Sequence, residues 1–130
     1  HALLLGARDT HGAVRASCLA CLAQVCPTLR YALHPWAAEL LAVVEAELRR
    51  DLISAEPDVQ AQQAAAHLLG SLLHELGASA VSLLSARQLR GVQAQLELLR
   101  GRASDALLVA HADAALEQLR ALYVLLVGGA

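Results

Sequence analysis

The sequence contains no phenylalanine, methionine, lysine or asparagine, and its aromatic content is 2%, one tryptophan and two tyrosines. A core built on large aromatic rings is therefore excluded, and the 57% of residues that are hydrophobic must pack as leucine, alanine and valine. Leucine and alanine are strong helix formers and proline is scarce, which makes the chain read as all-α. With lysine absent, all ten basic residues are arginine. Arginine, alanine, leucine and glycine in place of lysine, isoleucine, asparagine and phenylalanine follow GC-rich coding, so the arginine content says little about function. A net charge of -2 gives no electrostatic footprint for nucleic acid or anionic lipid.

Long apolar runs are also missing. Apolar runs such as residues 121–130 fall well short of the roughly 18 apolar residues a bilayer span requires, so no spanning segment is expected. Residues 1–6 have neither the charged start nor the apolar length of a signal peptide. The lack of methionine, and an opening at His1 in sequence that is already helical, lead to the expectation that the chain is a fragment of a longer protein. Its three cysteines, Cys18, Cys21 and Cys26, are odd in number and crowd into nine residues. That is not a secreted disulfide framework, and the expected compartment is reducing, the cytosol or nucleus.

At 130 residues the chain amounts to a single domain, long enough to bury roughly two thirds of its unfolded surface. Residues 1–5 read as the tail of a preceding helix, with Gly6 as its cap. A helix over 13–26 places Val14, Cys18, Leu22, Val25 and Leu29 on one side, flanked by Leu19 and Cys26, with Ser17, Ala20 and Gln24 opposite. Pro27 breaks this run, and Pro35 suits the first turn of the next helix, 35–53. There Leu40, Leu41, Val44, Leu48 and Leu52 face inward. Glu39, Ala42, Ala46, Arg49 and Arg50 face outward, and Glu45 and Arg49 form an i,i+4 pair. After a loop ending at Pro57, a helix to 76 turns Ala61, Ala65, Leu68, Leu69, Leu72, Leu73 and Leu76 inward, and Gly77 ends it.

A fourth helix over 79–100 carries Gly91 near its middle, at a cost of roughly 1 kcal/mol relative to alanine. Val81, Leu84, Val92, Leu96 and Leu99 make one face, and Arg87, Arg90, Gln93 and Glu97 the other. Ser104 and Asp105 are candidate caps for a last helix running to 127. Its narrow polar strip, Asp113, Glu117 and Arg120, leads to the expectation that it is buried around more of its circumference than the others.

Overlaying the first and third long helices at a spacing of 47 residues places Asp9 on Glu56, Val14 on Ala61, Arg15 on Gln62, Leu19 on Ala66 and Leu22 on Leu69. Paired helices recurring every 40 to 47 residues or so mark HEAT and armadillo arrays. The expected architecture is a HEAT/armadillo-like α-solenoid of about two helix-pair repeats, residues 12–53 and 57–100, with a terminal helix over 104–127. In such an array each pair buries its apolar face against its neighbours, and Asp9 can pair with Arg15 between loop and helix. The second repeat has Gln62 at that position and has lost the charge.

Candidate chemistry is sparse. Cys18-Leu-Ala-Cys21 is formally a C-x-x-C, yet no strand precedes it as in redox motifs and no fourth zinc ligand joins it with Cys26. A core role for these cysteines is expected, with Cys18 and Cys26 on the buried face. His67 and His74 share the polar face of the third helix and read as solvated. His74-Glu75-Leu76-Gly77-Ala78 fails as a zinc-protease motif because Ala78 replaces the second histidine. Gly77-Ala-Ser79-Ala-Val81 lacks the last glycine of a nucleophile elbow and reads as a helix stop with a serine cap. Phosphate-binding glycine loops are absent. Arg87, Arg90, Arg100 and Arg102 form the only local basic excess, explained by a solvated face complementing a helix C-terminus. No catalytic residue, cofactor or metal is expected.

Asp9, Val14-Arg15-Ala16-Ser17, Leu19 and Cys26, then Ala64-Ala65-Ala66-His67-Leu68, and the closing Ala112-Asp113-Ala-Ala-Leu116-Glu117-Gln-Leu119 together carry a resemblance. The chain resembles the C-terminal HEAT region of the transport and Golgi organisation protein six family, whose fungal counterpart is an RNA polymerase II assembly and nuclear import factor. The nearest part is Leu4-Leu5-Gly6-Ala7-Arg8-Asp9 followed by Val14-Arg15-Ala16-Ser17. The resemblance implies a non-enzymatic cytoplasmic scaffold that binds polymerase subunits, import machinery or assembly chaperones, linked in animals to secretion and Golgi organisation. Shuttling to the nucleus or association with Golgi membranes would come through the parent protein. The other reading open at this point is a generic HEAT adaptor from a vesicle coat, phosphatase or transport-receptor complex. For either, the expected binding surface is Glu39, Arg49, Arg50, Arg87, Arg90, Gln93 and Glu97.

Overall fold

Three helices begin at side-chain caps, Asp58, Ser85 and Asp105, and the way the helix starts line up sets the architecture. The computed structural model describes residues 2–8, 10–53, 58–103 and 105–128. Its helices are α1 (Ala2–Gly6), α2 (Gly12–Leu29), α3 (Ala37–Ile53), α4 (Val59–Leu76), α5 (Ala80–Leu83), α6 (Ala86–Arg102) and α7 (Ala106–Gly128), with 3-10 turns at Arg30–Trp36 and Gly77–Ser79. Among the described residues there is no strand, and the fold is all-α.

Side-chain and backbone contacts fix the relative directions. Gly12, at the start of α2, lies against Asp58, whose carboxylate caps α4 by accepting from the Ala61 amide at 3.0 Å. Gln63, in the first turns of α4, donates at 2.5 Å to Asp105, which caps α7 by accepting from the Leu108 amide at 3.0 Å. The starts of α2, α4 and α7 are thus side by side, and the three helices run in parallel, α4 in the middle. Further along, the bare Gly70 backbone lets α4 approach the Ala115 backbone of α7 closely. A second layer holds α3 and α6, adjacent to each other, with Gly91 facing Glu45. Arg15 near the start of α2 meets Glu47 near the end of α3, so the layers run in opposite directions. Consecutive long helices therefore alternate between layers, and fully buried Leu19, Leu41, Leu69, Leu72, Leu89 and Leu96 fill the space among them.

Several expectations shift. All seven inward residues of α4 are buried, and Gln62 joins them. The face of α2 is turned by about one residue, roughly 100°. Arg15, Leu19, Ala23 and Cys26 are buried, whereas Val14 is 41% and Leu29 39% exposed. Alanines and cysteines around most of α2 leave its stripe poorly defined, and α4 covers a side that includes an arginine because Glu47 neutralises it. Pro27 does not end the helix but sits exposed in its last turns, before the 3-10 turn that contains Pro35. Leu40, Leu41, Val44 and Leu48 are buried on α3 as expected, with Val43 and Glu47 besides, while the Leu52 side chain lies outside the described residues.

The expected fourth helix is two. Leu84 becomes extended, and Ser85 starts α6 with a capping box in which its hydroxyl accepts from the Gln88 amide at 3.1 Å and Gln88 accepts from the Ser85 amide at 3.0 Å. The α7 helix is not enclosed. Leu107 is 53% and Val124 70% exposed, because α4 and α6, with α5 and the Gly77–Ser79 turn, cover only part of its circumference among the described residues. Pro57 and Ser104 lie outside the described residues.

A side chain on Gly12 would collide with the Asp58 carboxylate. Gly12→Ala is therefore expected to displace that cap and cost about 1 kcal/mol in chemical denaturation. In an Asp58→Ala background, where the cap is already gone, the same substitution should cost much less.

Candidate interaction surface

The residues expected to bind partners divide into two groups. Glu39, Arg49, Arg87 and Arg90 are exposed on the layer formed by α3 and α6, and Glu45 accepts from Arg49 at 2.6 Å, one turn along α3. Such exposed pairs contribute a few tenths of a kcal/mol and shape the charge pattern more than the stability. Arg50 is half-buried and turned toward Glu47, 4.0 Å away. Gln93 donates to Glu97 at 3.0 Å. Glu97, together with Arg100, Asp113, Glu117 and Arg120, lines a polar cleft of about 690 Å³ between α6 and α7, in which Arg100 pairs with Asp113. Part of the basic excess seen in the sequence is thereby neutralised. Nearby, burial raises the Tyr123 phenol above its ordinary value, and its hydroxyl has no hydrogen-bond partner among the described residues.

The expected loop-to-helix pair takes a different form. Asp9 lies outside the described residues. Arg15, 7% exposed, donates its Nε to Glu47 at 2.7 Å and its Nη1 to the Thr10 carbonyl at 3.1 Å. Glu47 is 2% exposed, so this is a buried ion pair that ties the first layer to the second. Sequence reasoning missed Glu47, although an acid set between Val44 and Leu48 in an otherwise apolar stripe was the available signal. Two further polar atoms are buried without hydrogen-bond partners among the described residues, Gln62 Nε2 on α4 and Gln95 Oε1 on α6.

The cysteines are all free thiols and occupy three environments. Cys18 is half-buried against Gly6, where a Cβ would strike its Sγ. Cys21 is exposed, so the core expectation does not extend to it. Cys26 is 1% exposed, and burial first and Glu75 second push its thiol up to about 11, leaving it protonated and unreactive at neutral pH. His67 and His74 are both exposed as expected, and His67 in addition stacks on His111 of α7 at 4.7 Å. Among the described residues no group of three or more His, Cys, Asp and Glu could hold a metal ion.

Two apolar features remain. At one end of the molecule, Leu3, Leu4, Leu22, Val25, Leu29 and Trp36 line a groove of about 190 Å³. The α2 helix, 18 residues with a mean hydropathy of 1.3, is long and apolar enough to cross a bilayer by length and composition, against the expectation drawn from uncharged runs. It packs beside α4, with Arg15, Leu19, Ala23 and Cys26 buried and the rest of its length partly or fully exposed. No family model matches the chain, and no solved structure matches it.

Proposed function

We propose that the chain is a non-enzymatic helical-repeat scaffold of the HEAT/armadillo type, whose work is protein binding. The observation that carries this reading is the parallel alignment of α2, α4 and α7, helices separated in sequence by a whole helix pair. Their contacts join Gly12 to Asp58, Gln63 to Asp105 and Gly70 to Ala115, residues 42 to 46 apart. The second layer keeps a similar register. Leu41, Val44 and Leu48 of α3 and Leu89, Val92 and Leu96 of α6 are all buried, each pair 48 residues apart. Stacked helix pairs of this kind leave one helix of each pair outward, which creates an extended surface suited to proteins rather than small molecules.

The resemblance to the transport and Golgi organisation protein six family narrows the partner class to RNA polymerase II subunits and import or assembly machinery. On this reading Arg87 and Arg90, with Arg49 and Glu39 beside them, form the docking face. Immobilised chain is expected to retain polymerase subunits, and Arg87→Glu with Arg90→Glu should weaken that retention by roughly tenfold, equivalent to about 1.4 kcal/mol. The melting temperature should stay unchanged, since both side chains are exposed. No retention by the parent chain, or retention that survives the double reversal, would count against this function and surface respectively.

A further inference from the structure

The exposed side of the first layer holds a pair of histidines that the scaffold reading does not use. His67 of α4 and His111 of α7 stack with ring centroids 4.7 Å apart and planes inclined by 23°. They sit where two grooves meet. One, of about 330 Å³, is lined by Ser17, Gln60 and Gln63 among others, and the second, of about 210 Å³, by Gly70, His74, Glu75 and Gln118; both histidines line both. Nearly parallel rings keep their nitrogen lone pairs in two separate planes and do not converge them on one point, so the arrangement suits two stacked neutral imidazoles better than a metal.

We propose that the α4–α7 seam is an acid-sensitive joint, in which protonation of His111 beside His67 loosens the contact between the two helices. Neutral imidazoles stack favourably, but two imidazolium ions at this separation repel, and the partly buried one has lost water that would screen it. The charged groups nearby do not cancel that repulsion at the stack. On α4 these are His74, itself titratable, and Glu75, which borders the second groove and also faces Cys26. On α7, Asp105 is engaged by Gln63 at the start of the seam. No ionisable side chain of α2 lines either groove, where it contributes Ala16, Ser17, Ala20 and Pro27. The rest of the seam is held by small-residue packing at Gly70 and Ala115, which supplies no compensating charge.

Burial, and then the neighbouring His67, lower the His111 value below that of an ordinary histidine. The unfolded chain therefore takes up this proton at higher pH than the folded one. The corresponding stability is complete above the ordinary histidine range and is lost as pH falls through the lowered folded value. The joint does not depend on the identity of any binding partner.

Thermal unfolding of the whole chain between about pH 7.5 and about pH 5.5 tests the proposal in the parent, His67→Gln and His111→Gln. Both substitutions keep a planar polar group, and each variant is expected to lose roughly 2–4 °C less than the parent on acidification. Histidine proton resonances should show His111 titrating below the ordinary range and moving up in His67→Gln. Amide exchange along α4 and α7 should accelerate at low pH in the parent and not in His111→Gln. Equal losses of melting temperature in all three proteins would overturn the proposal, as would a His111 titration that His67→Gln leaves in place.

Discussion

Glu47→Ala is expected to destabilise the chain by about 3–5 kcal/mol, because it removes the acid from a buried ion pair. Both partners are almost wholly buried, and Arg15 also donates to the Thr10 carbonyl. Arg50, 4.0 Å from the same carboxylate and 41% exposed, cannot replace an acid. The cost comes mainly from leaving a buried charge less well compensated and less from the lost attraction. It follows that removing both partners together, as Arg15→Met with Glu47→Leu, should recover most of the loss and leave the protein within about 1.5 kcal/mol of the parent. Urea titrations with unchanged slopes would measure all three variants. Glu45→Gln, which breaks the exposed pair with Arg49, provides the contrast and should cost less than about 0.5 kcal/mol.

On the repeat proposed above, the second large effect is expected at positions 62 and 95. Gln62 follows Arg15 by 47 residues and Gln95 follows Glu47 by 48, the same spacings that relate α2 to α4 and α3 to α6. Arg15 and Glu47 bond one another, whereas Gln62 Nε2 and Gln95 Oε1 are a buried donor and a buried acceptor, each without a hydrogen-bond partner among the described residues. On the proposed repeat these two amides occupy the positions of the ion pair, without bonding one another. Gln62→Arg alone should therefore cost about 3 kcal/mol, since a guanidinium in the place of a side chain only 3% exposed would meet no carboxylate. Adding Gln95→Glu supplies the missing acid and should return about 2 kcal/mol of that loss.

How far the sequence revealed these features depended on how sharply each helix separates apolar from polar residues. On α4 the leucines and alanines stand apart from Gln60, Gln63, His67 and His74, and all seven expected inward residues are buried, with Gln62, Ala64 and Ala66 buried beyond that expectation. On α2, alanine and cysteine fill most of the circumference, so periodicity could not decide between the Val14 stripe and the Arg15 stripe. A long-range partner, Glu47, decided it. The break before α6 was legible in principle, since Ser85-Ala-Arg-Gln88 is a capping box, but the helical composition on either side outweighed it. The exposure of α7 was not legible, because it depends on which helices lie beside it and not on its own residues. Of the surface residues, Glu39, Arg49, Arg87 and Arg90 were found by facing away from apolar stripes. The His67–His111 stack was missed because its partners lie 44 residues apart on different helices.

The claim on which the rest depends is that the two helix pairs are copies of one unit in one register. The coupling energy between positions 62 and 95 tests it most directly. Unfolding free energies of the parent, Gln62→Arg, Gln95→Glu and the double variant close a thermodynamic cycle in which effects away from this contact cancel. A shared register predicts that the introduced arginine and glutamate stabilise each other by at least about 2 kcal/mol, as a partly buried pair does. Additive effects, with a coupling below about 0.5 kcal/mol, would place the two side chains apart and contradict the repeat.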